Sequence, residues 1–167
     1  MTLKQLSILE LEAQHKASPN YPKAYLVPKK YTDKSTNELQ KAVKDFLILH
    51  GCQAERIANK GTYKPPAIVE DFMGNKRTMG KGQWIKGHMR LGTSDVHSTV
   101  PINIKGITIG VSVKWEIKCK ATKDKASDDQ KDYAVEVQNA GGYVFFVKDW
   151  ESFIYHWNYL HSQHESL

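Results

Sequence analysis

Ile107-Thr108-Ile109-Gly110-Val111-Ser112-Val113-Lys114-Trp115-Glu116-Ile117-Lys118 alternates without a break, with apolar side chains on the odd positions and small or polar ones on the even positions. Side chains alternate across a strand with a period of two. The pattern therefore predicts a long strand with one buried face, and it sets Glu116 and Lys118 together on the other. A shorter extended segment is expected from Arg90 to Val96, with Asp95 near its end. About twenty residues containing Pro101 and Gly106 then lead back into the long strand, as in an elaborated hairpin. Asp95 and Glu116 are thereby expected side by side on neighbouring strands.

Two carboxylates at that separation repel and raise each other's pKa unless a cation lies between them. Hard oxygen ligands from Asp95 and Glu116, with the backbone carbonyl of Ile117, suit Mg²⁺ or Mn²⁺ and leave positions open for water and a phosphate oxygen. Such a metal would acidify a bound water and neutralise charge developing on phosphorus, while Lys118 orients the water or stabilises the transition state. The chemistry implied is phosphodiester hydrolysis. The plain alternative is a surface acid–lysine pair worth a few tenths of a kcal/mol. Against it, Glu116-Ile117-Lys118 is the chain's single Glu-x-Lys, and Asp95 is the sole acid between Asp71 and Glu116.

With these residues in hand, the order of elements resembles the PD-(D/E)XK phosphodiesterase superfamily, the restriction-endonuclease-like fold, and is most similar to its VRR-NUC and Holliday-junction-resolvase-like branch. The matching elements are a helix at Thr36 to His50 carrying Glu38, then strands at Gln53 to Asn59, Arg90 to Val96 and Ile107 to Cys119. A helix at Asp128 to Ala140 with Gln130 and a strand at Tyr143 to Val147 complete the set. Ser94 stands where the family name has Pro, and Lys148 follows the last strand where related domains often carry Arg. The resemblance covers residues 36 to 150. It implies an αβββαβ core with a central mixed sheet flanked by helices, the last two strands joined by a right-handed crossover. It also implies a homodimer that cuts both strands of branched or structured DNA, in repair, recombination, restriction or a phage setting.

The same resemblance assigns Glu38 as an auxiliary metal ligand and Gln130 as a contact beside the metal or to a phosphate. Both have a second explanation, because Ser35-Thr36-Asn37-Glu38 and Ser127-Asp128-Asp129-Gln130 fit the capping-box pattern. Gln130 precedes Tyr133, Ala134 and Val137 on one helical stripe and should face the sheet, whereas Glu38 borders the stripe Leu39, Ala42, Val43, Phe46 and Leu47.

The chain has 167 residues, 40% of them apolar, which suits one α/β core, and a formal charge of +6 that favours an acidic partner such as nucleic acid. Lys76, Arg77, Lys81, Lys86 and Arg90 fall in an acid-free, glycine-punctuated stretch with Trp84. A flexible basic loop inserted at 72–90 is expected there, clamping a phosphate backbone while Trp84 stacks on a base or fills a gap. Residues 1–35 read as a short amphipathic helix followed by a proline-spaced arm that could wrap the core, add to a dimer interface or extend the basic surface. Asp149 is expected to cap a C-terminal helix with the stripe Trp150, Phe153, Ile154, Trp157 and Leu160.

No apolar run reaches the length of a membrane helix, and Lys4, Glu10 and Glu12 spoil a signal-peptide reading, so an intracellular, cytoplasmic protein is expected. Cys52 and Cys119 are expected to be reduced and buried, and His156, His161 and His164 to be surface residues near a fraying terminus. A Walker loop, a dinucleotide fingerprint and a nucleophile elbow are all missing from the sequence. The expectation is a Mg²⁺-dependent DNA endonuclease. Its rivals are a module of the same fold that binds nucleic acid without cutting, and a nuclease directed at RNA.

Overall fold

The chain runs through α1 (Leu3–Ala17), α2 (Thr36–Leu49), β1 (Gln53–Arg56), β2 (Thr62–Lys64), β3 (Ala67–Glu70) and β4 (Lys76–Met79). It continues through β5 (Gln83–Ile85), β6 (Val96–Ile104), β7 (Ile107–Ile117), α3 (Asp128–Asn139), β8 (Tyr143–Val147) and α4 (Trp150–Glu165). This is a computed structural model, and it describes residues 1–57, 61–85, 87 and 90–165. Two compact units emerge: Met1–Ile57 with Gly92–Leu167, and Ala58–Leu91.

The first unit is mixed α/β around a four-stranded sheet of order β1-β6-β7-β8, in which β7 pairs antiparallel with β6 and parallel with β8. A parallel neighbour needs a crossover connection, and α3 supplies it. The predicted alternation holds where the sheet is covered: Val111, Val113, Trp115 and Ile117 are buried, but Ile107 and Ile109 are exposed. The difference follows from strand length. β1 spans four residues and β8 begins its pairing at Val113, so the far end of the β6–β7 hairpin projects beyond its neighbours.

The path into β7 differs from the expected one. β6 is a continuous nine-residue strand that begins after Asp95 and runs through Pro101. Proline donates no hydrogen bond, but β1 pairs with β6 only as far as Thr99, so Pro101 lies where β6 is an edge on that side. The hairpin closes at Lys105 and Gly106, both with positive φ (50° and 86°), as the two-residue type I′ turn requires.

Trp115 anchors the core, its ring 5.2 Å from Phe145 and 5.0 Å from Phe153, and its indole N–H donates to Ser98 Oγ at 2.8 Å. Truncating such a residue to alanine costs about 3–5 kcal/mol. All five residues of the α2 stripe are buried, and in α4 Trp150, Phe153 and Leu160 are buried with Ile154 and Trp157 packed against them. The N-terminal arm does wrap this core. Lys29 bridges Glu10 at 2.9 Å and Asp45 at 3.4 Å, Tyr31 donates to Asp45, and the Trp150 backbone N–H donates to Asp33. Cys52 and Cys119 are buried free thiols. His156 stacks on Phe145, His161 packs on Trp157 and His164 reaches Tyr143, so these histidines are half-buried packing groups and not loose surface residues.

The Ala58–Leu91 unit corrects the expected loop at 72–90. β3 and β4 form an antiparallel hairpin, and β2 pairs with β5. Asp71 organises the hairpin turn by accepting from the backbone N–H groups of Met73 and Asn75, both at 2.9 Å. None of the described helices is long and apolar enough to cross a membrane.

Candidate active site

β6 and β7 bring Asp95 and Glu116 together through their register. Val96 faces Trp115, so the residue before Val96 meets the residue after Trp115. Asp95 Oδ2 accepts the Ile117 backbone N–H at 2.9 Å, which ties the turn before β6 to the end of β7. Gly92 makes that turn possible. It has φ +80°, and a Cβ there would collide with the Asp129 backbone at the start of α3. Asp95 and Gln130 thus converge on the same strand end.

Glu116 is the centre of the arrangement, with its residue only 2% exposed. Its Oε1 accepts the Gln130 side-chain amide and lies 3.3 Å from Lys118 Nζ. Its Oε2 is buried without a hydrogen-bond partner. Burial first, then the charge of Asp95, pushes its carboxyl up to about 7, against the pull of Lys118. A buried acceptor whose lone pairs have no partner, near a second carboxylate, is chemically a place for a proton or a hard cation. The donor set Asp95, Glu116 and water fits Mg²⁺ or Mn²⁺. Among the described residues no group of three or more His, Cys, Asp or Glu gathers to hold a metal, so any cation here would rest on the carboxylate pair, backbone and water.

Gln130 caps its helix and touches Glu116 at the same time. Its Oε1 accepts the Ser127 backbone N–H at 2.9 Å as the capping box requires, while its amide nitrogen donates to Glu116. Glu38 differs: it is exposed on the first turn of α2, and its carboxylate accepts the Ser35 hydroxyl at 3.1 Å. The structure brings Asp95, Glu116, Lys118 and Gln130 together and leaves Glu38 on its own cap.

Of the expected phosphate-binding residues, Lys76 and Arg77 lie on β4, Lys81 follows that strand, and Trp84 is an exposed residue of β5 beside Tyr63. Lys86 lies outside the described residues. The stretch is acid-free in sequence only, because β3 brings Glu70 to 3.8 Å from Lys76.

Three features escaped the sequence reading. Asp124 lies 3.2 Å from Lys118 Nζ, so Lys118 is held between two carboxylates. His97 and Lys114 pair across β6 and β7 one row along from Asp95 and Glu116, on the same face. Burial, reinforced by Lys114, pulls the His97 imidazole down to about 4. The third is a cavity of about 590 Å³ whose wall includes Lys118, Lys120, Lys123, Lys125, Lys148 and Phe146. The period-2 signal that flagged Glu116 also flags Lys114, and His97 once β6 is known to continue past Val96. Asp124 has no comparable local signal.

No protein-family model, curated protein or solved structure matches the chain. The site is therefore read from its own geometry.

Proposed function

We propose that the chain is a metal-dependent DNA endonuclease of the PD-(D/E)XK superfamily, nearest its VRR-NUC and Holliday-junction-resolvase-like branch. It would act inside the cell as a homodimer on branched or duplex DNA. The observation that carries this reading is the buried, unpartnered Oε2 of Glu116 beside Asp95, on the strand face shared with Lys118. Holding a carboxylate in that setting is costly, and a structural role offers no return for it. The sequence of α2, β1, β6, β7, α3 and β8 supports the family reading, since it follows the αβββαβ order with Gln130 near the start of the last helix.

Asp95 and Glu116 would hold Mg²⁺ or Mn²⁺, which when bound supplies Lewis-acid polarisation of the phosphate and a more acidic attacking water. Lys118 presents its ammonium to the charge that develops on phosphorus and is kept from drifting by Asp124. Gln130 fixes the Glu116 rotamer through Oε1 and so leaves Oε2 available. The Ile117 amide fixes Asp95 in the same manner.

Cleavage of labelled single-stranded, flapped, duplex and four-way-junction DNA, with RNA counterparts, in Mg²⁺, Mn²⁺ or EDTA tests the proposal. Metal-dependent cutting that disappears in Glu116→Gln and in Lys118→Ala is expected. Binding without cutting under every metal would leave a nucleic-acid-binding module, and cutting confined to RNA would redirect the substrate.

A further inference from the structure

We propose that the lysine-walled cavity beside Lys118 is a nucleotide pocket, which takes the unpaired nucleotide adjoining the scissile phosphate, its base against Phe146 and its phosphates against Lys120, Lys125 and Lys148. The proposal rests on the nuclease reading for the word scissile; the pocket itself rests on the geometry below.

Register places the pocket. Phe146 of β8 pairs with Glu116 of β7, so both project from one face of the sheet, and Lys118 and Lys148 lie two residues further along on that same face. The 3-10 turn Lys120–Thr122 and the segment after it bring Lys120, Lys123 and Lys125 to the same cavity. The acid on its wall, Asp124, is already paired with Lys118. Lys120, Lys123, Lys125 and Lys148 are exposed, and none is ion-paired among the described residues. Cations brought to one cavity repel, and a polyanion relieves that repulsion with release of its counterions.

Size and chemistry select the ligand. At about 590 Å³ the cavity is in the range of small-ligand sites, roughly 300–1,000 Å³. It has room for one nucleotide but not for a stacked duplex. A half-buried aromatic ring with cations around it is the arrangement by which single-stranded nucleic acid is held, with the base on the ring and the backbone on the charges. The substrate class that follows is DNA with unpaired nucleotides next to the cut: flaps, gaps and splayed ends.

The test uses the full chain and fluorescence anisotropy with fluorescein-labelled (dT)8 and with a blunt duplex of equal length. The variants are Lys120→Gln/Lys125→Gln and Phe146→Leu, each checked by thermal melting. Single-strand affinity should fall about 10-fold in each, duplex affinity by less than about 2-fold, and the salt slope of the lysine pair should drop by about 1.4. The lysine pair is exposed and carries the test even if Phe146→Leu melts early. Unchanged single-strand binding in the folded lysine pair overturns the pocket, even if the wild type cuts DNA. Weakened binding in the variants, together with a wild type that cuts nothing under Mg²⁺ or Mn²⁺, upholds the pocket and sinks the nuclease reading.

Discussion

Two stretches of the chain are rich in lysine, and the fold uses their cations differently. Within 76–90, Lys76 and Arg77 sit on the short exposed strand β4, where β3 supplies Lys76 with Glu70 as a partner. Lys118, Lys120, Lys123, Lys125 and Lys148 gather round a cavity, and Lys118 on its wall also touches the buried Glu116. Positive charge alone therefore says little about function. What matters is whether the fold offers the cations a concave surface and a reactive group beside it.

The largest expected effect breaks the reactive group. Glu116→Gln should lower metal-dependent cleavage by at least about 100-fold while DNA affinity stays within about 3-fold. Quenched-flow cleavage with parallel anisotropy measures both. Loss of affinity equal to loss of rate would mean that Glu116 is a binding group, and the contrast between the two stretches would weaken.

Stability against pH probes the same carboxylate without any substrate. Glu116 titrates near 7 in the fold against an ordinary 4.5, so the native protein holds a proton that the unfolded chain has lost. Its stabilising contribution is full below pH 4.5 and is lost as pH rises through 7, a change of about 3 kcal/mol. His97 acts with the opposite sign. Its native value of about 4 lies below 6.5, so its contribution is full above pH 6.5 and fades as pH falls through 4. The two windows overlap between pH 4.5 and 6.5, where their opposite slopes offset, so the metal-free wild type should change little there. Glu116→Gln should leave a melting temperature that rises with pH, and His97→Gln one that falls with pH, as read over pH 4–8. Mg²⁺ added at pH 8 should raise the melting temperature of the wild type but not of Glu116→Gln.

Why some of this was legible in the sequence is a matter of range. One strand's alternation carries Glu116, Lys118 and the buried Trp115, because a period of two is local. Pro101 looked like a break, yet an edge position tolerates it, and only the four-residue length of β1 makes that position an edge. Glu38 and Gln130 share one capping pattern and part by where their helices place them. An amide has an acceptor and a donor, so Gln130 can cap α3 and still donate to Glu116, while Glu38 sits exposed on the first turn of α2 and accepts only from its own cap. Asp124 reaches Lys118 through the turn that follows β7, which no local spacing encodes.

Asp124 gives the next smaller effect. With its charge removed, Lys118 keeps only Glu116 as an anchor, so Asp124→Asn should lower the rate of cleavage about 10-fold with the substrate affinity and melting temperature unchanged. A change in KM alone would make Asp124 a wall of the pocket and not a positioning residue.

The smallest effect belongs to the strand-borne cations, and its smallness is what the comparison requires. Lys76 already faces Glu70, and both side chains are largely exposed, so the charge it can lend a phosphate is partly compensated and well screened. Lys76→Gln/Arg77→Gln should weaken duplex and single-strand binding alike, by about 3-fold, with a salt slope lower by no more than about 1.8 for duplex. Uniform weakening is the mark of a backbone contact that carries no preference for unpaired nucleotides, whereas the pocket lysines should discriminate between the two forms. If instead this pair costs more affinity than Lys120→Gln/Lys125→Gln and costs it mainly on single strands, the roles of the two stretches are exchanged. In that case the exposed Trp84 and Tyr63 of the 58–91 unit, and not Phe146, would be the surface on which the base stacks.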